Sequence, residues 1–127
     1  MPPSERLLVI EDSAELQIRA GNVVRRFTSH SADLKRHVKE ALRDRPDRII
    51  IGETRGPEAL DLLDAAVTGH PGLSTIHADS CEEALTRIQR LAGCDPVLVR
   101  EAIDIVLHIQ RFPDGRRAVA EIRNLTE

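Results

Sequence analysis

The stretch Arg48-Ile49-Ile50-Ile51-Gly52-Glu53 joins an uninterrupted apolar run to a carboxylate that follows directly after it. A short apolar run with charge on both sides is typical of a strand buried on both faces of a parallel sheet. The run Leu7-Leu8-Val9-Ile10 repeats the pattern, and residues 73–77 form a third candidate strand. The sequence therefore predicts a mainly parallel sheet that contains these three strands.

The segments between the predicted strands show the periodicity of helices. Residues 32–42 place their apolar side chains on one stripe and their charged side chains elsewhere, as in an amphipathic helix. A second helix is predicted after Pro57, which suits a first helical turn, and it ends before Gly69, which suits the C′ position. Strands that alternate with helices indicate an α/β fold with right-handed crossovers.

Capping signals define two further helices. Ser80 and Glu83 have the spacing of a capping box at the start of a helix over residues 81–91, and Gly93 ends that helix. Asp95-Pro96 opens the next helix in the same way.

A β-hairpin is predicted near the carboxyl end. Two apolar segments, 105–109 and 118–122, flank the turn Pro113-Asp114-Gly115. The predicted fold class is thus α/β, with a mainly parallel sheet flanked by helices and a C-terminal antiparallel hairpin. We expect residues 1–127 to form one domain, because this length allows a single core.

The composition restricts the class of protein. A net charge of -3 leaves no basic footprint, so we predict no direct contact with nucleic acid. Cys81 and Cys94 have no second pair and no histidine at metal-ligand spacing, and we interpret both as reduced cytosolic thiols. The longest apolar runs are short and interrupted by polar residues, so we expect neither a signal peptide nor a membrane span.

Acidic or imidazole groups lie at the carboxyl end of each predicted parallel strand, in the segments Glu11-Asp12, Gly52-Glu53 and His77-Ala78-Asp79. Because ligands bind beyond the carboxyl ends of parallel strands, these groups are expected to share one edge of the sheet. A carboxylate in such a place can orient an attacking water or hold the hydration shell of magnesium. Each group alone has a simpler interpretation, since polar residues are common at strand ends and a lone histidine there is usually structural.

Three segments, in this order, resemble the signature motifs of the type II/IV secretion ATPases. Residues 10–16 (IEDSAEL) are similar to the Asp box of that family, and residues 45–56 (RPDRIIIGETRG) resemble its Walker B segment. Residues 68–80 (TGHPGLSTIHADS) resemble its His box. The resemblance extends over residues 6–125 and is greatest to conjugal-transfer ATPases of the TrbB type, with pilus-assembly ATPases as the near alternative.

The resemblance implies the carboxy-terminal part of a RecA-like domain that hydrolyses ATP with the help of Mg²⁺. It implies that Glu53 is the Walker B carboxylate, which orients or deprotonates the attacking water. It also implies that His77 contacts the terminal phosphate and reports the loss of that phosphate to a neighbouring subunit.

Cofactor contacts are implied for four further residues. Glu11 would help Glu53 to hold Mg²⁺ through water, with contributions from Asp12 and Glu15. Arg55 would contact the phosphates. For Asp12 and Glu15 the alternative is a role in shaping a turn, and for Arg55 it is a role in subunit packing.

The remaining basic residues receive simpler interpretations. Arg25 and Arg26 are interpreted as a solvated pair, with interface arginines as the alternative. The lysines and arginines of residues 35–48 are interpreted as an exposed helix face that needs no ligand.

The phosphate-binding loop of the family, G-x-x-x-x-G-K-[ST], has no match in the sequence. Since the strand that carries this loop lies inside the family's sheet, we expect exposed strand edges and apolar faces. We therefore expect a chain that is poorly soluble, self-associating or completed by another polypeptide. Its start, Met1-Pro2-Pro3-Ser4, suggests a truncated reading frame or a chosen fragment.

The resemblance implies a motor component that powers conjugative DNA transfer or type IV secretion. Its parent would form a hexameric ring, in the cytoplasm and peripheral to the bacterial inner membrane, in contact with the secretion machinery. We expect these 127 residues to be inactive alone. The alternatives are a non-enzymatic module that joins rings of an intact ATPase, and an unrelated α/β binding protein in which all three motifs are accidental.

Overall fold

The computed structural model of the chain describes residues 2–28 and 31–126, with side chains described from residue 34 onward in the first helix. Within the predicted domain 1–127, residues 1, 29, 30 and 127 lie outside the described residues. The strands are β1 (Leu7–Glu11), β2 (Val23–Phe27), β3 (Arg48–Ile51), β4 (Gly72–Ser74), β5 (Ile105–Arg111) and β6 (Arg117–Asn124). The helices are α1 (Ser31–Ala41), α2 (Glu58–Val67), α3 (Cys81–Ala92) and α4 (Pro96–Ala102), with a 3₁₀ turn at Leu42–Asp44.

Four strands form a parallel sheet in the order β2-β1-β3-β4. All five residues of β1 are buried, as its continuous apolar run predicts. In the register, Ile10 pairs with Ile51, and Ile51 pairs with Ser74. The carboxyl ends of β1, β3 and β4 therefore lie side by side, and the predicted parallel sheet is confirmed.

The connection between β1 and α1 differs from the prediction of strand, helix, strand. Residues 12–22 form an irregular segment that leads to β2, and β2 pairs in parallel with β1 along its whole length. The sequence of β2, VVRRF, contains two adjacent arginines and lacks both a continuous apolar run and strict alternation. For this reason its periodicity predicted no strand.

The third parallel strand is shorter than the predicted segment 73–77. Strand β4 ends at Ser74. Beyond it, Thr75 exchanges hydrogen bonds with the loop that follows β3, so residues 75–77 leave the regular ladder. The prediction of a strand through His77 is therefore wrong in its last part.

Helices α1 and α2 cover one face of the parallel sheet. Val38 of α1 and Ala65 of α2 are almost completely buried against this face. The other face is covered by the irregular segment, because Leu16 and Ile18 pack against Leu7, Val9 and Ile50. The segment 12–22 thus closes the core on the side that lacks α1 and α2.

Helices α3 and α4 pack on the far side of α2 through Leu63, Ile88 and Val99. Their predicted boundaries are confirmed by the caps. The Ser80 hydroxyl accepts the Glu83 N–H at 3.0 Å, and Gly93 ends α3 in the left-handed region with φ 63°.

The predicted hairpin is confirmed and forms a separate antiparallel pair, β5-β6. Its turn is closed by Phe112 N–H, which donates to Arg116 O at 2.8 Å. The hairpin contacts α3, where the Cys81 thiol donates to Val106 O at 3.5 Å. Of the described helices, none is both long and apolar enough to cross a membrane.

Candidate functional site

A cleft of about 400 Å³ lies beyond the carboxyl ends of β1, β3 and β4. Its volume is within the usual range of small-molecule sites. It is lined by Ile10, Glu11, Asp12, Ser13, Glu15, Leu16, Leu34, Gly52, Glu53, Arg55, Thr75 and His77. All six predicted site residues line this cleft, so the structure brings them together. Their chemical roles stay predictions.

Glu11 is the last residue of β1, and its carboxylate is buried in the floor of the cleft. Oε1 accepts the N–H groups of Glu15 and Leu16 at 3.1 and 2.8 Å. Oε2 is 3.4 Å from the Arg25 guanidinium. Three donors compensate the burial of this charge, and they bend residues 12–16 back over the strand end.

Asp12 lies at the rim of the cleft, where it is paired with Arg55 from the loop after β3. Its Oδ1 also accepts the Thr28 hydroxyl at 3.0 Å. Asp12 therefore links the ends of β1 and β2 to the loop after β3. This arrangement supplies both a carboxylate and a guanidinium, the two groups that a magnesium-bound polyphosphate would need.

Glu15 also faces the cleft, and the Ser13 hydroxyl donates to its Oε1 at 3.2 Å. Its backbone N–H is bound by Glu11, as described above, so the position of Glu15 depends on that buried carboxylate. Glu15 therefore lies in a turn, which agrees with the alternative role in shaping a turn that the sequence suggested. Its contribution to cation binding stays a prediction.

Glu53 and His77 lie on the loops that follow the adjacent strands β3 and β4, and their side chains meet at the cleft. His77 Nε2 lies 3.3 Å from Glu53 Oε1. The Glu53 side chain is 34% exposed and that of His77 is 83% exposed, so both can be reached from solvent. In such a pair the carboxylate can act as a base toward a water molecule, and the imidazole can donate a hydrogen bond to an anionic ligand.

Two residues that the sequence analysis did not select hold the loop around Glu53. Thr75 donates its hydroxyl to Gly52 O at 2.6 Å, and its own carbonyl accepts Thr54 N–H at 2.8 Å. Thr75 lies two positions before His77, and in an extended segment that spacing places both side chains on one side. This alternation is the signal that could have identified Thr75.

Glu58, at the start of α2, is fully buried and was also not selected from the sequence. Its Oε1 accepts the N–H groups of Arg55 and Gly56 at 2.8 and 2.9 Å. The carboxylate thus fixes the end of the loop that carries Glu53. The position of an acid in the first helical turn was the available signal.

Arg25 and Arg26 are not a freely solvated pair, so that interpretation is corrected. Arg25 binds Glu11 and also donates to Leu16 O at 3.1 Å. Arg26 points to the other side of β2 and pairs with Glu40 and Asp44. The two side chains diverge because neighbouring residues of a strand face opposite sides of the sheet.

The carboxylates of the cleft can bind magnesium only together with a phosphate ligand. In the described ranges, 2–28 and 31–126, no three His, Cys, Asp or Glu side chains are arranged to hold a metal ion by themselves. Mg²⁺ typically keeps several waters and binds one or two carboxylates plus substrate phosphates. Glu53 and Asp12, each about a third exposed, offer carboxylate oxygens of the kind that this chemistry needs.

A parallel sheet flanked by helices, with acids, an arginine and a histidine beyond its carboxyl ends, is the arrangement of α/β proteins that bind ligands at this edge. Residues 1–124 match the family described as type II/IV secretion system protein. The chain belongs to this family of type II/IV secretion system proteins, and its sequence is similar to those of TrbB conjugal transfer proteins. The family and the fold class predicted from the sequence are thereby confirmed.

Individual relatives agree with this assignment. The conjugal transfer protein TrbB of Rhizobium radiobacter is 42% identical over 121 residues, which cover 91% of this chain and 38% of that protein. The type IV secretion system protein PtlH of Bordetella pertussis is 34% identical over 144 residues, which cover 96% of this chain and 42% of that protein. The chain thus spans about two fifths of the length of these curated relatives.

A solved structure supports the fold. The VirB11 ATPase from the Brucella suis type IV secretion system, solved in complex with sulphate, superposes with a TM-score of 0.82. The match is 27% identical and covers 98% of this chain and 42% of that chain.

Proposed function

We propose that the chain carries the hydrolytic part of an ATP site in a motor that powers conjugative DNA transfer or type IV secretion. The observation that supports this most directly is the meeting of Glu53 and His77, 3.3 Å apart, at the carboxyl ends of two parallel strands. The names of the TrbB, PtlH and VirB11 relatives supply the transfer or secretion context.

Each predicted residue has a part in the proposed reaction. Glu53 orients or deprotonates the water that attacks the terminal phosphate, and His77 donates a hydrogen bond to that phosphate. Arg55 offsets phosphate charge. Bound Mg²⁺ would neutralise charge on the phosphate oxygens, with Glu53 as its carboxylate partner. Glu11 would help to hold the ion through water, from a buried carboxylate that already accepts three hydrogen bonds.

The proposed reaction needs a phosphate-binding loop that these 127 residues do not contain. Without its backbone amides and lysine, a nucleotide would lose most of the contacts to its phosphates. We propose that residues 1–127 are the carboxy-terminal portion of the RecA-like domain and act only together with such a loop. The working assembly would be a hexameric ring at the cytoplasmic face of the inner membrane.

Magnesium-dependent ATP turnover tests the proposal in two chains: residues 1–127 alone, and the same residues preceded by the genomic sequence upstream. We expect turnover only in the longer chain, if a P-loop lies upstream in frame. Robust turnover of the short chain at micromolar ATP would show that the missing loop is not needed. Loss of turnover in both chains, with co-purification of an intact secretion ATPase that survives Glu53→Ala, would favour a non-enzymatic module.

The variant Glu53→Gln separates catalysis from binding in the longer chain. Because general base catalysis contributes about 10²- to 10⁴-fold, we expect at least a 100-fold lower kcat with nucleotide affinity retained. Glu101→Gln, on the exposed surface of α4, is the matched control and should be fully active. Full activity of Glu53→Gln would remove Glu53 from the proposed mechanism.

A further inference from the structure

Glu53 is bracketed on both sides by one residue of the neighbouring loop. Gly52, immediately before Glu53, offers its carbonyl to the Thr75 hydroxyl at 2.6 Å. Thr54, immediately after Glu53, donates its N–H to the Thr75 carbonyl at 2.8 Å. Thr75 therefore holds the backbone directly before and after the carboxylate that the proposed function uses.

The same segment also carries the histidine that faces this carboxylate. Thr75 is separated from His77 by a single residue, and His77 Nε2 is 3.3 Å from Glu53 Oε1. A bond between Thr75 and the Glu53 loop consequently fixes the relative position of the two side chains. If the loops separated, Glu53 and His77 would move apart together with them.

Other anchors hold the residues on either side of the Glu53 peptide, and the Thr54 hydroxyl also lies 2.6 Å from that of Ser74. On one side, Gly52 N–H donates to Ile10 O at 2.9 Å and so continues the sheet. On the other side, the buried Glu58 carboxylate holds Arg55 and Gly56. Between these anchors, the hydroxyl of the exposed Thr75 is a local restraint outside the core, so its removal should leave the protein folded.

We propose that Thr75 is a positioning residue for hydrolysis: its hydroxyl and carbonyl fix the Gly52–Thr54 backbone so that the Glu53 carboxylate is aimed at the attacking water. This inference rests on the proposed function and adds a residue whose hydroxyl acts through the backbone that carries Glu53. A small displacement of a catalytic group is enough to lower a rate by about 10²-fold.

Three variants, made in the longer chain that includes the upstream sequence, test the proposal by steady-state kinetics with MgATP. Thr75→Val removes the hydroxyl with little change of shape, and Thr75→Ser retains it. Thr68→Val is the matched control, because Thr68 also donates its hydroxyl to a carbonyl, Asp64 O at 2.8 Å, but lies at the end of α2 outside the cleft.

We expect Thr75→Val to lower kcat by about 10- to 100-fold while KM changes by less than about twofold. Thr75→Ser should recover most of the rate, and Thr68→Val should match the unchanged protein. A kcat for Thr75→Val equal to that of the unchanged protein would overturn the positioning role alone. Absence of turnover in the unchanged protein would instead refute the proposed function together with this inference.

Amide hydrogen exchange of the 127-residue chain gives a readout that needs no ATP. Thr75→Val should accelerate exchange of the Thr54 amide, and Thr75→Ser should leave it slow. If Thr75→Val does not fold, Thr75→Ala provides the same loss of the hydroxyl with less bulk. An unchanged Thr54 exchange rate in the folded variant would show that the hydroxyl does not hold this loop.

Discussion

Glu11 illustrates how one carboxylate can shape a site before any ligand binds. It accepts two backbone N–H groups from residues 15 and 16 and pairs with Arg25, so the cleft wall depends on it. Its sequence position after an apolar strand predicted a site residue, and its part in magnesium binding stays a prediction. Charge compensation by three donors also explains how an acid is tolerated at 5% exposure.

Gly72 is required by the close approach of β4 to β3. A Cβ atom at this position would lie 2.7 Å from Ile49 O, a backbone atom that cannot move without disturbing the sheet. We expect Gly72→Ala to lower the free energy of unfolding by about 1–3 kcal/mol, the usual cost of overpacking. Urea denaturation followed by circular dichroism measures this change.

Gly21→Ala is the control for that variant. A Cβ atom there meets only Pro3 O, at 4.0 Å, and Gly21 does not lie in the left-handed region. Its free energy of unfolding should be unchanged or slightly raised, because alanine restricts the unfolded chain. Equal stability of the two variants would contradict the close-approach argument.

At the scale of elements, the sequence predicted the buried strands that consist of a continuous apolar run. Strands β1 and β3 are of this kind. Strand β2 was missed because Arg25 and Arg26 pair with acids on opposite sides of the sheet, a tertiary arrangement that local periodicity does not contain. The helix boundaries were predictable because caps are local, as Asp95 shows by accepting Val97 N–H at 2.8 Å.

Helix α2 connects the sheet to α3 and α4 through Leu63, which is 2% exposed and packs in a cluster with Ile88 and Val99. Leu63→Ala should leave a cavity and lower the free energy of unfolding by about 2–5 kcal/mol. Val67→Ala, on the same helix at 42% exposure, is the control and should cost much less. Comparable losses in urea denaturation would show that α2 does not join the two layers through Leu63.

The hairpin is tied to α3 by a carboxylate whose pKa is shifted. Glu121 Oε2 accepts Cys81 N–H at 3.0 Å, and this hydrogen bond lowers the pKa of Glu121 below its usual value. Because the folded state favours the charged form, the stabilisation is present above the unfolded pKa of about 4.3 and is lost as the pH falls through the lower folded pKa.

We therefore expect Glu121→Gln to lower Tm at neutral pH and to weaken the fall of Tm on acidification. Thermal unfolding measured from about pH 7 to about pH 3 tests this expectation. Glu101→Gln should retain the pH dependence of the unchanged chain. Identical Tm profiles for Glu121→Gln and the unchanged chain would rule out a stabilising role for the bond to Cys81.

On the scale of the whole molecule, the residues of the cleft were predictable because they lie at strand ends within recognisable motifs. Glu53 and His77 are examples, since the order of strands in a parallel sheet brings their positions together. Thr75 and Glu58 were not predictable in the same way. Alternation with His77 and a place in the first helical turn were weak local signals for them, while their hydrogen bonds to backbone groups of another loop or of the preceding turn are tertiary contacts.

The hairpin presents an apolar face that the rest of the described chain leaves exposed. Leu107 and Ile122 are cross-strand partners at 55% and 67% exposure, and they share this face with Ile105, Ile109 and Val119. A contiguous apolar face of this kind favours association in water. We expect residues 1–127 to sediment as species larger than a monomer at about 50 μM, where the loss of exposed apolar area on association outweighs the entropic cost.

The double variant Leu107→Lys/Ile122→Lys should shift the sedimentation coefficient to that of a monomer, because two lysines on one face repel a second copy and interrupt the apolar surface. Val97→Lys is the control: Val97 is 58% exposed on α4 but does not belong to the hairpin face. If Val97→Lys dissociates the chain as effectively as the double variant, association arises from general surface hydrophobicity. A monomeric unchanged chain would show instead that the exposed face alone is too small to hold two copies together.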